Sequence, residues 1–425
     1  MNFTEAMEYL DGINLFREKK GLLNIRELMR RLGNPQNKLK FIHVAGTNGK
    51  GSVVAMVAHT LTKAGFRTGR YISPFVDVFN ERICVDETYI TNEEVASYMD
   101  KIKAAADRMF EETEVYPTRF ELLTALAFLY FYEKQCNFVV LEVGLGGRLD
   151  STNVIETPLL AVIMQIGLDH QKQLGNSLTE IAAEKCGIIK KDGTVICYRN
   201  QQEEVMEAVR QVCKEQEARL VLAPEPKNVQ ANPDGNRFEL DGFDRAFEIG
   251  LAGEYQVYNA AAAAGALLEL QKRGVALTGN QIQDGIETTR WIGRFETLAE
   301  NPRIVADGGH NRSGVEAFCN SMRKLYPNQK KVLIMGMMHD KDYEACIRLA
   351  AAACDILIGV HIGIERALSA EAVAQTAAGF CPDIRTAETC RDAIALARKL
   401  CGENGIIFIA GSLYLVSEAR HILKD

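Results

Sequence analysis

Seven consecutive residues, Gly46-Thr47-Asn48-Gly49-Lys50-Gly51-Ser52, have the composition of a phosphate grip. Three glycines let backbone N–H groups turn towards one point. Lys50 supplies positive charge to the outer phosphates, and Ser52 offers a hydroxyl to the Mg²⁺ that accompanies a nucleotide. The spacing differs from the common G-x-x-x-x-G-K-[ST] loop, because Val44 stands at the first glycine position and Gly51 follows the lysine. The plainer alternative is a glycine turn that lets a helix pack closely on a sheet; the lysine and hydroxyl argue against it. Two other groups could share this chemistry. Glu142 ends the apolar run 138–141, where an acid assists a metal held by a loop hydroxyl. Asp169-His170 put a carboxylate and an imidazole after another apolar run, and for His170 metal ligation outweighs a structural role.

Such residues need a strand before the loop and a helix after it. Residues 41–45 supply the first, and Val53, Val54, Val57, Leu61 and Ala64 fall at helical spacing. Strands at 67–72, 138–142, 160–164 and 194–197 then alternate with helices at 93–110, 120–129 and 178–189, a βαβ rhythm that builds a mostly parallel sheet. Ligands of such sheets sit at the C-terminal ends of the strands. Two amphipathic helices, at 4–10 and 25–32, precede the first strand. Within 120–129, Glu121 and Thr124 share a face, and so buried a carboxylate requires a partner. Asn80-Glu81-Arg82 reads as a surface loop, and Lys185, on residues alone, as a solvated lysine.

Residues 224–247 break the rhythm with a small antiparallel excursion, and 258–270 form an alanine-rich helix opened by Asn259. A linker is placed at 291–296 and Asn301-Pro302. From Arg303 a second βα series starts, with a strand ending in Asp307, the loop Gly308-Gly309-His310-Asn311 and a helix to Tyr326. The fold class is therefore α/β. A P-loop ATPase domain, 1–296, carries the mostly parallel sheet, and a smaller Rossmann-like domain, 297–425, follows. The second domain has no G-x-G-x-x-G and hence no sign of NAD.

A net charge of −7 gives no global attraction to nucleic acid, so an anionic ligand must be held locally. No apolar run reaches the length of a membrane span. Residues 1–20 have the composition of neither a signal nor a transit peptide. Eleven scattered cysteines, without a C-x-x-C pair or zinc spacing, read as buried reduced thiols of a cytoplasmic protein.

Taken together, the motifs resemble the folylpolyglutamate synthases, often bifunctional with dihydrofolate synthase, of the Mur ligase superfamily. The resemblance runs nearly end to end. It rests on L-G-N-P-Q, H-V-A-G-T-N-G-K-G-S, F-N-E-R-I, L-E-V-G-L-G-G-R-L-D-x-T-N, I-G-L-D-H, E-K-x-G-I-I-K, D-G-x-H-N at 307–311, D-K-D-Y at 340–343 and G-S-L-Y at 411–414. It implies an ATP-dependent amide ligase that adds L-glutamate to tetrahydrofolate, and to 7,8-dihydropteroate, through an acyl phosphate. Gly49, Lys50, Gly51 and Ser52 would hold the ATP phosphates, with Asn259, Arg294, Asp307 and His310 as further nucleotide contacts. Ser52, Ser73, Glu142 and His170 would ligate two Mg²⁺, and Lys185 matches a family lysine carried as a carbamate, a further metal ligand. Lys50, Lys185 and His170 are thus the expected catalytic groups. The pteroate would lie near Thr118, Phe120, Leu149, Asp150 and Ser151. The resemblance further implies a monomer with small-molecule substrates and neither nucleic-acid nor membrane partners.

Two alternatives compete. A Mur ligase acting on a UDP-sugar peptide would need an additional N-terminal domain, for which the short lead before Gly46 leaves no room. A P-loop switch would need neither Ser73 and His170 nor Asp307. A synthase restricted to extending existing folates stays open.

Overall fold

The computed structural model describes residues 1–13 and 21–424, so part of the N-terminal stretch searched for a targeting segment lies outside the described residues. Strands β1 (Phe41–Ala45), β2 (Thr68–Tyr71), β3 (Ile83–Val85), β4 (Thr88–Tyr89), β5 (Phe138–Glu142), β6 (Leu160–Ile163), β7 (Thr194–Cys197) and β8 (Arg219–Leu222) form one sheet. Its order is β4-β3-β2-β5-β1-β6-β7-β8. From β2 to β8 all neighbours run parallel, and β3 and β4 add an antiparallel edge. β1 and β5 are buried at every position, as central parallel strands with both faces covered must be. Ile42, Val44 and Val140 pack on one face beneath helices Lys50–Lys63 and Tyr255–Lys272. Phe41, Val139 and Leu141 pack on the other beneath helices Asn92–Thr113 and Arg119–Glu133.

The excursion is a three-stranded antiparallel sheet of β9 (Lys227–Asn232), β10 (Gly235–Glu239) and β11 (Phe247–Ile249). A second large sheet contains β12 (Glu296–Glu300), β13 (Arg303–Asp307), β14 (Lys330–Met335), β15 (Ile356–Val360), β16 (Asp383–Ala387) and β17 (Gly405–Ala410). Its order is β12-β13-β17-β14-β15-β16, parallel except for β12 against β13. It has its own apolar cores on its two faces. The last helix, Leu413–Lys424, runs back to the first sheet's loops, where Arg420 pairs with both Asp77 and Glu296.

Three local expectations are corrected. Asn301-Pro302 is the turn of the β12–β13 hairpin rather than linker, since Glu300 pairs with Arg303. Helix Tyr255–Lys272 starts before Asn259, which lies inside it and is buried. Residues 80–82 are no solvated loop: Phe79–Arg82 is a 3₁₀ turn, and buried Glu81 accepts from the N–H groups of Val76, Asp77 and Val78. The reason is local: the three donors are backbone N–H groups three to five residues before Glu81, and residue type does not reveal backbone donors. Glu121 finds its partner within the capping box of its helix, accepting from Thr118 N and Oγ1. All eleven cysteines are buried and free. Among the described residues no helix is long and apolar enough to cross a membrane.

Candidate active site

β1 stops at Ala45, and the following loop is held against the end of β6 by Thr47 N–H donating to Gln165 O at 2.7 Å. Gly49 takes a φ of 82°, left-handed backbone that glycine adopts without strain, and precedes helix Lys50–Lys63. No side chain caps that helix, so the first-turn N–H groups have no capping partner. A Cβ on Gly49 would run into Asn259 Oδ1, which places Asn259 directly against the loop.

The strand register sets the charges around it. Val44 of β1 lies beside Glu142 of β5, and Lys50 Nζ is 3.9 Å from Glu142 Oε1 while donating to Thr47 O at 3.1 Å. Burial pushes the lysine's pKa down and the carboxyl's up, and each charge opposes the shift of the other. Lys185, buried in helix Leu178–Cys186, donates to Gly46 O at 2.9 Å. Its burial, reinforced by the nearby Lys50 charge, lowers its pKa to about 7. Ser73 N–H donates to Glu142 Oε2 at 3.4 Å. His170 Nε2 lies 3.0 Å from Lys341 Nζ, and burial lowers the imidazole's pKa.

The facing wall comes from the second sheet. Asp307, the last residue of β13, accepts from Gly309 N, Phe295 N and Tyr255 Oη at 2.7, 2.9 and 2.6 Å. Asn311 caps helix Arg312–Leu325 through Gly314 N–H. It also donates to Asn48 Oδ1 at 3.0 Å and to Asp169 Oδ2 at 3.2 Å. Lys341 Nζ donates to Asp169 Oδ1 at 2.8 Å and holds that carboxyl well below its usual range against the desolvation it suffers. Asn48 and Asp169 stand at strand ends of the first sheet, so polar bonds join the two walls.

One cleft collects Gly49, Lys50, Gly51, Ser52, Ser73, Glu142, His170, Lys185, Asn259, Arg294, Asp307 and His310, residues expected from the sequence to act together. The expected pteroate contacts do not line it. Phe120 stands one layer behind, its ring against Gly144, which does line the cleft. Thr118 caps the helix that carries Phe120, and Leu149 is exposed. Asp150 and Ser151 are buried, and the Asp150 carboxylate accepts from Leu145 N, Thr152 N and Thr152 Oγ1. That carboxylate shapes the loop 144–150. Thr152 donates to Asp150 and therefore accepts from His43 Nε2, 2.9 Å away. Tyr255, Asn48, Asn311 and Lys341 were not among the expected site residues. Three of them had a signal, Asn48 in the loop 46–52, Asn311 in D-G-x-H-N and Lys341 in D-K-D-Y; Tyr255 had none.

The donor set suits Mg²⁺, which prefers oxygen ligands: the Ser52 and Ser73 hydroxyls and the Glu142 carboxylate share this cleft. No group of three His, Cys, Asp or Glu residues among the described residues could hold a metal alone. As an amine Lys185 adds no oxygen donor; as a carbamate it would add two.

Residues 44–267 match the Mur ligase middle domain and residues 293–413 the Mur ligase glutamate ligase domain. The dihydrofolate synthase/folylpolyglutamate synthase of Bacillus subtilis is 35% identical over 430 residues, covering 99% of each chain. The folylpolyglutamate synthase of Lacticaseibacillus casei is 33% identical, covering 100% of this chain and 99% of that one. Folylpolyglutamate synthase of Mycobacterium tuberculosis, complexed with ADP and AMPPCP, superposes with a TM-score of 0.91 at 30% identity, covering 100% and 98%. E. coli FolC in complex with DHPP and ADP gives 0.87 at 26% identity, covering 100% and 98%.

Proposed function

Because this chain belongs to the Mur ligase family, among its folylpolyglutamate and dihydrofolate synthases, we propose that it uses ATP to join L-glutamate to tetrahydrofolate and to 7,8-dihydropteroate. The observation that carries this reading is the uncapped helix at Lys50, with half-buried Lys50 and buried Glu142 and Lys185 around it in one cleft. In the first step a carboxylate oxygen of the acceptor attacks the γ-phosphorus of ATP, and ADP leaves. In the second the amine of glutamate attacks the acyl carbon, and phosphate leaves as the amide forms.

Attack of one anion on another needs positive charge placed beforehand. The first-turn N–H groups of Lys50, Gly51 and Ser52 would receive phosphate oxygens, and the Lys50 ammonium would follow the γ-phosphoryl group. Asn259, Arg294, Asp307 and His310 would fix the nucleotide between the two walls. Ser52, Ser73, Glu142, His170 and carbamylated Lys185 would hold two Mg²⁺. Bound there, the metal supplies charge neutralisation at the phosphate oxygens. The pKa of about 7 at Lys185 supports the carbamate, since only an uncharged amine adds CO₂. The pteroate would lie beside Phe120 and Leu149, with Thr118, Asp150 and Ser151 setting the wall behind it. The two units, 1–296 and 297–425, would act as domains that close on the substrates, as a cytoplasmic monomer. Eleven free thiols support a reducing compartment.

The test is phosphate release from ATP and L-glutamate, with tetrahydrofolate or 7,8-dihydropteroate as acceptor and the product identified by mass. Release with both is expected. Release with tetrahydrofolate alone limits the enzyme to extending existing folates, and silence with both overturns the reading.

A further inference from the structure

Arg82 is a half-buried charge beside the cleft for which the reading above has no use. Its Nη1 donates to Ser73 Oγ at 3.2 Å, its guanidinium carbon lies 5.2 Å from the centre of the Phe75 ring, and its Nε is buried with no hydrogen-bond partner. No acidic side chain among the described residues stands within ion-pair distance of it. Each nearby acid is already engaged. Glu81, next in sequence, accepts from three backbone N–H groups. Asp77 pairs with Arg420 and Lys424, Glu142 faces Lys50, and Asp11 pairs with Arg119. The Arg119 charge opposes that of Arg82, and the Glu142 carboxylate favours it only from beyond ion-pair distance.

Another arginine shows the contrast. Arg420, whose side chain is 7% exposed, has two carboxylates, Asp77 and Glu296. A guanidinium removed from water without a counter-ion is costly, and such a group persists where an anion arrives to complete it. The planar fork suits the two oxygens of a carboxylate. Ser73 fixes where that carboxylate would be, because the residue bonded to Arg82 through its hydroxyl also lines the cleft beside Glu142 and Lys50.

Resting on the ligase reading, we infer that Arg82 binds a glutamyl α-carboxylate beside the reacting centre. Two substrates could bring one: the terminal glutamyl unit of tetrahydrofolate, or the incoming L-glutamate. Dihydropteroate cannot, since its one carboxyl group is the one that reacts. Arg82 is thus a specificity residue for one of these two ligands.

The experiment is steady-state kinetics of wild type, Arg82→Ala and Arg82→Lys with each acceptor, with melting temperature and ATP binding confirming folded protein. A KM rise of about 10- to 100-fold in the alanine variant, without a change in the KM for ATP, is expected for the substrate that owns the carboxylate. If the acceptor owns it, the loss is confined to tetrahydrofolate and dihydropteroate is spared. If L-glutamate owns it, its KM rises with both acceptors. Arg82→Lys keeps the charge without the fork and recovers part of the loss in either case. Unchanged KM for both substrates, or a fall in kcat alone, overturns the assignment. A wild-type protein that forms neither product removes the ligase reading, and this assignment with it.

Discussion

The two walls of the cleft use the same device to opposite ends. β1 and β13 are both buried strands that run into a glycine loop and then a 14-residue helix. In the first, the residue before the helix is Gly49 and no side chain reaches the open N–H groups. In the second, it is Asn311, whose Oδ1 accepts from Gly314 N–H, while Asp307 accepts from Gly309 N–H. One helix end is left with its partial positive charge available to an anion; the other is satisfied by its own chain and turns its remaining amide across the cleft. The same supersecondary unit becomes a binding site or a brace according to what stands at its cap.

The comparison breaks most sharply at Lys50. Lys50→Ala should lower the rate of ATP-dependent amide formation by about 10³-fold or more, since on the proposed reading preplaced charge at the phosphoryl group would be the main catalytic contribution of the open loop. A loss under tenfold, read by phosphate release, would refute the assignment of that loop. Lys185→Ala, which removes the proposed carbamate, should cost about 100-fold. Wild-type protein given ¹³C-bicarbonate should show a carbamate carbon by NMR that the variant lacks; identical spectra would exclude the modification.

A smaller effect concerns a feature that the two units share. Each carries a neutral imidazole withdrawn from water, His43 buried in β1 and His310 half-buried in the second loop, with pKa values lowered by desolvation to about 3 and about 4. Below an unfolded pKa of 6.5 the unfolded chain takes up protons that the folded chain refuses. Stability is therefore full above that value. It falls with decreasing pH, by up to about 1.4 kcal/mol per pH unit for each imidazole, until the folded values are reached. Urea melts between pH 7 and 5 should show this acid limb, and a shallower one in His43→Gln; parallel limbs would contradict it. The smallest effect belongs to the brace. Asn311→Ala removes a cap worth about 1 kcal/mol and the bonds to Asn48 and Asp169. Its melting temperature should drop modestly and its activity more than stability explains, whereas a stability loss with full activity would make the cap purely structural.

Legibility in the sequence followed the range of the interactions. The open loop could be read because strand, glycines, lysine, hydroxyl and helix are contiguous, and Glu142 because it ends an unmistakable buried strand. The resemblance located Lys185, whose burial no local pattern reveals. Glu81 and Arg82 were misread for a different reason: their partners lie close in sequence, but they are the backbone N–H groups of residues 76–78 and the Ser73 hydroxyl, which residue type alone does not mark. Tyr255 gives no local sign either, since its hydroxyl acquires meaning only when β13 brings Asp307 to it. Asp150 was expected beside the pteroate; its bonds to Leu145 and Thr152 give it a part in shaping the loop 144–150.

The pairing of Asp77 with Arg420 spans 343 residues of chain. A protein made from its N-terminus onward produces the glycine loop 46–52 well before Arg420, the counter-ion for Asp77. The segment 73–82, on which Ser73 and Arg82 are mounted, therefore cannot take up its finished set of bonds until Arg420 has been made. Translation order therefore separates the completion of the loop 46–52 from that of the neighbouring wall.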